Sequence, residues 1–226
     1  MPLTQLTTRR DSFKSTLDAD VNSLIRLHER DAGTAGRPGE WMKAIRRSAI
    51  VLIAANLENY VEELVCDGLT ILANNNVCAR DYPEPFRLWI FKRTVNMRNV
   101  GIDDAKEYVE LSMKLYSDVR PLTLVELPLD KLKESFANPT VKNINWIMSL
   151  LGFDNYLTGI TIRVDGTDRS AKTIIGELAN RRNAVAHGDA TQDPTLDRIK
   201  MISKFSQLFS TRLRKDVAGK IDNALP

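Results

Sequence analysis

Histidine and cysteine are the scarce residues of this chain, with two of each in 226 residues. Two histidines, His28 and His187, exclude a multi-histidine metal centre built within one chain. Cys66 and Cys78 stand twelve apart, with no CxxC pair and no histidine nearby. No zinc site is expected, and the cysteines read as free thiols in a reducing compartment. No apolar run is long enough to span a membrane. The longest, Ser48 to Leu57, is interrupted by Asn56 and followed by Glu58. The opening MPLTQLTTRRDSFK lacks the apolar core of a signal peptide, so a cytoplasmic protein is the expectation. Walker, GxGxxG, HExxH and GxSxG motifs are missing. The acidic residues are scattered, whereas enzymes that work through divalent ions gather them. No metal and no cofactor is expected.

What is present is an ordinary soluble composition. A hydrophobic content of 43% is enough for one large core, and no linker, repeat or low-complexity tract divides the chain. A single domain over 1–226 is the simplest organisation. The net charge of +3 permits contact with nucleic acid without arguing for it.

The pattern is mostly helical. Phe13, Leu17, Val21, Leu24, Ile25 and His28 fall near helical spacing over about Thr8 to Arg30. His28, flanked by charge in RLHERD, is expected on the solvated face of that helix. GTAGRPG breaks the chain, and a long helix follows from Glu40 into the seventies. It is apolar on most sides, as a central core helix would be. Glu58, Asn59, Glu62 and Glu63 interrupt it. They read as a solvent stripe or, for Glu58 and Asn59, as groups facing the motif described below. CARDYPEPFRLW reads as a loop fixed by Pro83 and Pro85. Phe86 to Asn99 mixes Trp89 and Phe91 with Arg87, Lys92, Arg93 and Arg98. Such a mixture binds nucleic acid by stacking and charge, but a core helix with a wet face is the commoner meaning. Asp103 and Asp104 signal a helix running to Asp118, and Arg120 to Asp130 a connector. Asp130 caps a short turn through Phe136. Asn138-Pro139 makes a turn, Thr140 caps a helix over Val141 to Leu151, and Gly152 ends it. Residues 153–168 form a loop or small hairpin turning at Asp165-Gly166. The last helix starts at Pro194 or Thr195, and the tail AGKIDNALP is expected to fray.

One stretch concentrates chemistry: ELANRRNAVAHGD, Glu177 to Asp189, in a helix that starts at Asp168 or Ser170. Gly188 follows His187 at the place where a helix would stop. At about 100° per residue, Asn183 and His187 share a face, while Arg182 lies roughly 140° from His187. The arginine side chain is long enough to reach a ligand that His187 also touches. A guanidinium fork matches phosphate, and an imidazole gives or takes a proton near neutral pH. The pair suits a phosphodiester better than a carboxyl ester. The plain alternative is a basic residue placed to complement a helix C-terminus.

Arg182, Asn183 and His187 closely resemble the R-x4-6-H signature of the HEPN superfamily, and the chain looks most like its RiboL-PSP ribonuclease branch. The segments NLENYVEEL and NPTVKNINWIMSLLG are similar to the same branch. The resemblance implies an all-α, HEPN-like helical bundle, here with additional helices and a short irregular or hairpin insert. It implies a homodimer whose motif helices meet in a cleft that cleaves RNA without metal. Arg182, His187 and Asn183 would be the catalytic residues. Arg181, Glu58 and Asn59 would assist on the substrate side, with Arg181 either on a flanking phosphate or facing solvent. Kinship further implies a toxin–antitoxin or phage-defence setting, with an antitoxin or other defence protein as partner and no membrane. The competing reading is a HEPN-like module that binds RNA or protein without catalysis.

Overall fold

In a computed structural model, the chain is described over residues 3–31, 39–94, 102–117, 119–189 and 193–225. Among them are eight α-helices: α1 Leu3–Asp31, α2 Glu40–Asn74, α3 Glu84–Thr94, α4 Ile102–Leu115, α5 Leu129–Ser135, α6 Val141–Ser149, α7 Ala171–Ala186 and α8 Leu196–Asp222. A two-stranded antiparallel sheet, β1 Thr161–Val164 and β2 Thr167–Ser170, precedes α7. The all-α class expected from the sequence is the architecture found, hairpin insert included.

The helix α2 is the axis of the bundle because it buries residues along its whole length and exposes none between Tyr60 and Ala73. Ile50, Ile53, Leu57, Val61, Leu64 and Leu69 are fully enclosed. α1, α5, α6, α7 and α8 all pack against it. Tyr60 stacks at a tilt on Phe13 of α1 and donates its hydroxyl to the Ser210 carbonyl of α8 at 2.8 Å. That hydroxyl satisfies a carbonyl in the middle of the core. The acidic interruptions of α2 are only partly a solvent stripe. Glu63 pairs with Arg9 at 3.1 Å and Lys133 at 2.7 Å. Asp67 is buried and takes Gln5 at 2.7 Å and Arg9 at 2.9 Å. These pairs tie α1 and α5 to the axis.

Boundaries follow local chemistry. Thr140 and Thr195 accept hydrogen bonds from the Asn143 and Arg198 backbone N–H groups at 3.1 and 3.2 Å, capping α6 and α8 as expected. Asp165 and Gly166 both take positive φ, 49° and 77°, as a two-residue hairpin turn requires. Ile162 and Val164 point their strand into the core. α3 begins inside the stretch read as a loop, since proline is tolerated in a first helical turn. Its expected continuation through Asn99 lies outside the described residues from 95 onward, and so does Asp118.

Two expectations are overturned. His28 is not on a solvated face; it is 7% exposed, among Ile45 and Arg46 of α2 and Leu196 and Ile199 of α8. Helical spacing from Val21 through Ile25 carries residue 28 to the same inner side, and the flanking charges say nothing about that face. Nor does the tail fray. α8 continues to Asp222, and Val217, Ala218 and Ile221 are buried. Gly68 of α2 makes room for this end of α8, because a Cβ there would stand 3.2 Å from Ile221 Cδ1.

Candidate active site at the end of the motif helix

The helix α7 carries the motif. Ser170 caps its start, and Ala171, Ile174, Ile175, Leu178 and Ala179 bury one face. That stripe fixes the helix rotation and leaves residues 180–187 emerging from the bundle. The helix ends in a closed hydrogen-bonded turn. The Gly188 N–H donates to the Val185 carbonyl at 3.0 Å, and the Asp189 N–H to the Ala184 carbonyl at 2.9 Å. Gly188 takes φ +76°, which an L side chain resists by about 1–2 kcal/mol. His187 is therefore the last residue before an enforced stop, and its imidazole is exposed. Among the described residues no hydrogen bond or ion pair engages its ring.

The two arginines have different surroundings. Arg181 is committed internally: its Nε donates to Glu177 Oε1 at 2.8 Å. Glu177 also receives Arg198 of α8, with Nε at 2.8 Å. The Arg198 hydrogen bond, joined by that of Arg181, holds the Glu177 carboxyl below its ordinary range. Arg182 is half-buried and has no carboxylate partner among the described residues. Its only hydrogen bond there is a long one, 3.4 Å, from Nη1 to Asn183 Oδ1. Its charge is left available for an anion.

Asn183 is the fixed point beside it. Its Oδ1 also accepts from Asn138 Nδ2 at 2.7 Å. Asn138 sits at φ +65° in the turn before α6, and that turn is held by Asn143, whose Nδ2 donates to the Asn138 carbonyl at 2.9 Å. Thr140 N–H donates to the same carbonyl at 2.8 Å. Asn138 Oδ1 is buried without a partner among the described residues. Sequence reasoning saw a turn at Asn138-Pro139 but not this bond, since nothing local links positions 138 and 183. The Glu177–Arg181 pair did have a signal, an acid four residues before a base on one helix.

Glu58 is half-buried and Asn59 exposed on α2. Among the described residues, no hydrogen bond or ion pair joins either to Arg182, Asn183 or His187. The candidate site is thus Arg182 and His187 at one helix end, with Asn183, itself bonded to Asn138, beside the arginine. Among the described residues, no three of His, Cys, Asp and Glu gather as metal ligands would. No helix there is long and apolar enough to cross a membrane.

No curated protein and no solved structure matches this chain. The sequence model of the RiboL-PSP-HEPN family matches residues 15–219, from within α1 nearly to the end of α8 and with the whole motif inside. A match over nearly the full length places the chain in that family: it is a member of RiboL-PSP-HEPN.

Proposed function

We propose that the chain is a homodimeric, metal-independent endoribonuclease of the cytoplasm, acting in a toxin–antitoxin or phage-defence setting. The observation that carries the reading is that one helix end bears an exposed imidazole and a half-buried guanidinium, neither engaged by a carboxylate among the described residues. RNA places a 2′-hydroxyl beside each phosphodiester. One copy of His187 removes the hydroxyl proton, and the 2′-oxygen attacks phosphorus. The bond from phosphorus to the 5′-oxygen breaks, leaving a 2′,3′-cyclic phosphate. The second copy of His187, brought to the cleft by a two-fold axis, protonates the departing oxygen. Arg182 holds the phosphate and offsets charge building on its oxygens. Asn183 acts through Arg182, as the acceptor that limits where the guanidinium rests.

The test is cleavage of single-stranded RNA in EDTA by wild type, Arg182→Ala and His187→Ala. Loss of a proton-transfer group should slow cleavage by about 10²–10⁴-fold. Loss of the arginine should slow it by about 10²–10³-fold. An inert wild type would leave a non-catalytic binding module in its place, and variants that cut as well as wild type would remove Arg182 and His187 from the reaction.

A further inference from the structure

A second cluster of cations lies next to the motif. α3 and α6 form the walls of a groove of about 500 Å³. Lys92 and Arg93 come from α3, and Lys142 from α6, and all three are exposed. Arg93 is held by a hydrogen bond from its Nη2 to Ser135 Oγ at the end of α5. Among the described residues, no Asp or Glu lines the groove. Among the described residues, none of the three cations forms an ion pair, although acidic partners engage many other basic groups, such as Arg9, Lys133 and Arg198. Uncompensated charge of one sign in a concavity focuses an attractive field for a polyanion.

Two tryptophans share that groove. Trp146 is half-buried in α6 and offers part of its indole. Trp89 is 7% exposed, and its Nε1–H is buried without an acceptor among the described residues. A buried donor facing no acceptor is costly unless a ligand supplies one. Cations that track a backbone and aromatic rings that stack bases are the two elements of single-strand recognition. Duplex RNA keeps its base faces covered and does not meet the second element.

The groove is also joined to the motif. Asn143 lines it, and the same Asn143 side chain holds the Asn138 turn whose amide bonds Asn183. We propose that this groove binds single-stranded RNA flanking the scissile phosphate, with Lys92, Arg93 and Lys142 on phosphates and Trp146 against a base. The identity of the polymer as RNA rests on the ribonuclease reading of the motif; the groove itself selects an unpaired polyanion with bases.

The experiment separates the two. Binding is measured by fluorescence anisotropy of a labelled single-stranded RNA on the full chain carrying His187→Ala, so that the probe survives. Adding K92A, R93A and K142A together should weaken binding at least tenfold. The log–log salt slope should become shallower by about 2, from about 0.7 per phosphate contact. Trp146→Leu keeps an apolar helix face and should weaken binding about five- to a hundred-fold. The three cations are exposed, so the triple variant should retain the parent's melting temperature; Lys142→Ala alone serves if it does not. Unchanged affinity and slope in the folded cation variants, no RNA binding by the parent, or equal competition by duplex RNA or poly-glutamate overturns the groove. An inert wild type whose binding still depends on the three cations sinks the catalytic reading and upholds the groove.

Discussion

Asn138 shows how much a single side chain does at this site. Its backbone sits at φ +65°, a conformation asparagine tolerates better than most residues. Its amide then reaches across to Asn183. Replacing it with alanine would change both backbone preference and hydrogen bond, and the two effects would be confused. Asn138→Gly isolates the second, because glycine accepts positive φ without strain. The expected outcome is a melting temperature close to wild type with cleavage slowed roughly ten- to a hundred-fold, the scale on which small misplacements of a catalytic group are felt. The loss should fall on kcat, since the arginine is misplaced and not removed. A variant that cuts at the wild-type rate would show that Arg182 does not depend on this bond.

At the scale of elements, Glu177 fastens α7 to α8 through Arg198 and steadies Arg181 on its own helix. Its folded pKa lies below the ordinary 4.5, chiefly through the Arg198 hydrogen bond, with burial opposing. A carboxylate lowered in this way contributes stability that is whole above its unfolded pKa. The contribution is lost as pH falls through the folded value. The gap in melting temperature between wild type and Glu177→Gln should therefore be widest near neutral pH and close on acidification below the ordinary carboxylate range. A gap that is constant with pH, read by circular dichroism, would place the effect in packing and not in charge. The same scale decides what could be read from the sequence. α2, α7 and α8 carry long apolar periodicities, Ser170 and Thr195 mark the starts of α7 and α8, and the three starts are legible within a few residues. The Gly188 stop and the trio Arg182, Asn183 and His187 are local in sequence, and so was the placement of the motif. His28 and the α8 end are misread from sequence because neighbouring charge, or a terminal position, stands in for the face each residue turns to the core. The Asn138–Asn183 bond and the α3–α6 groove join residues forty-five or more positions apart, where no periodicity reports.

At the scale of the whole molecule, the proposed chemistry asks for two imidazoles and each chain offers one at the site. The outer face of α7 bears on how a second copy could supply it. Thr173, Gly176, Asn180, Ala184 and His187 follow at intervals of three and four residues, so they form one stripe. Every member before His187 is small or short, and Thr173 and Asn180 are exposed. A shallow depression bordered by Val141 and Lys172 runs along the same face. A stripe of this kind lets a symmetry-related helix approach closely, which would carry the two copies of His187 toward one cleft. Sedimentation equilibrium should then give twice the 25.5 kDa chain mass. Asn180→Glu should divide the dimer, because an exposed position accepts the carboxylate without disturbing the fold and a two-fold axis sets its two copies against each other. Cleavage by that variant should be weak at low protein concentration and recover as concentration rises, with the melting temperature of the dilute chain little changed. Wild type that sediments as a monomer while cutting, at a rate per chain independent of concentration, would leave His187 to act alone and require the second proton-transfer group to come from elsewhere in the same chain.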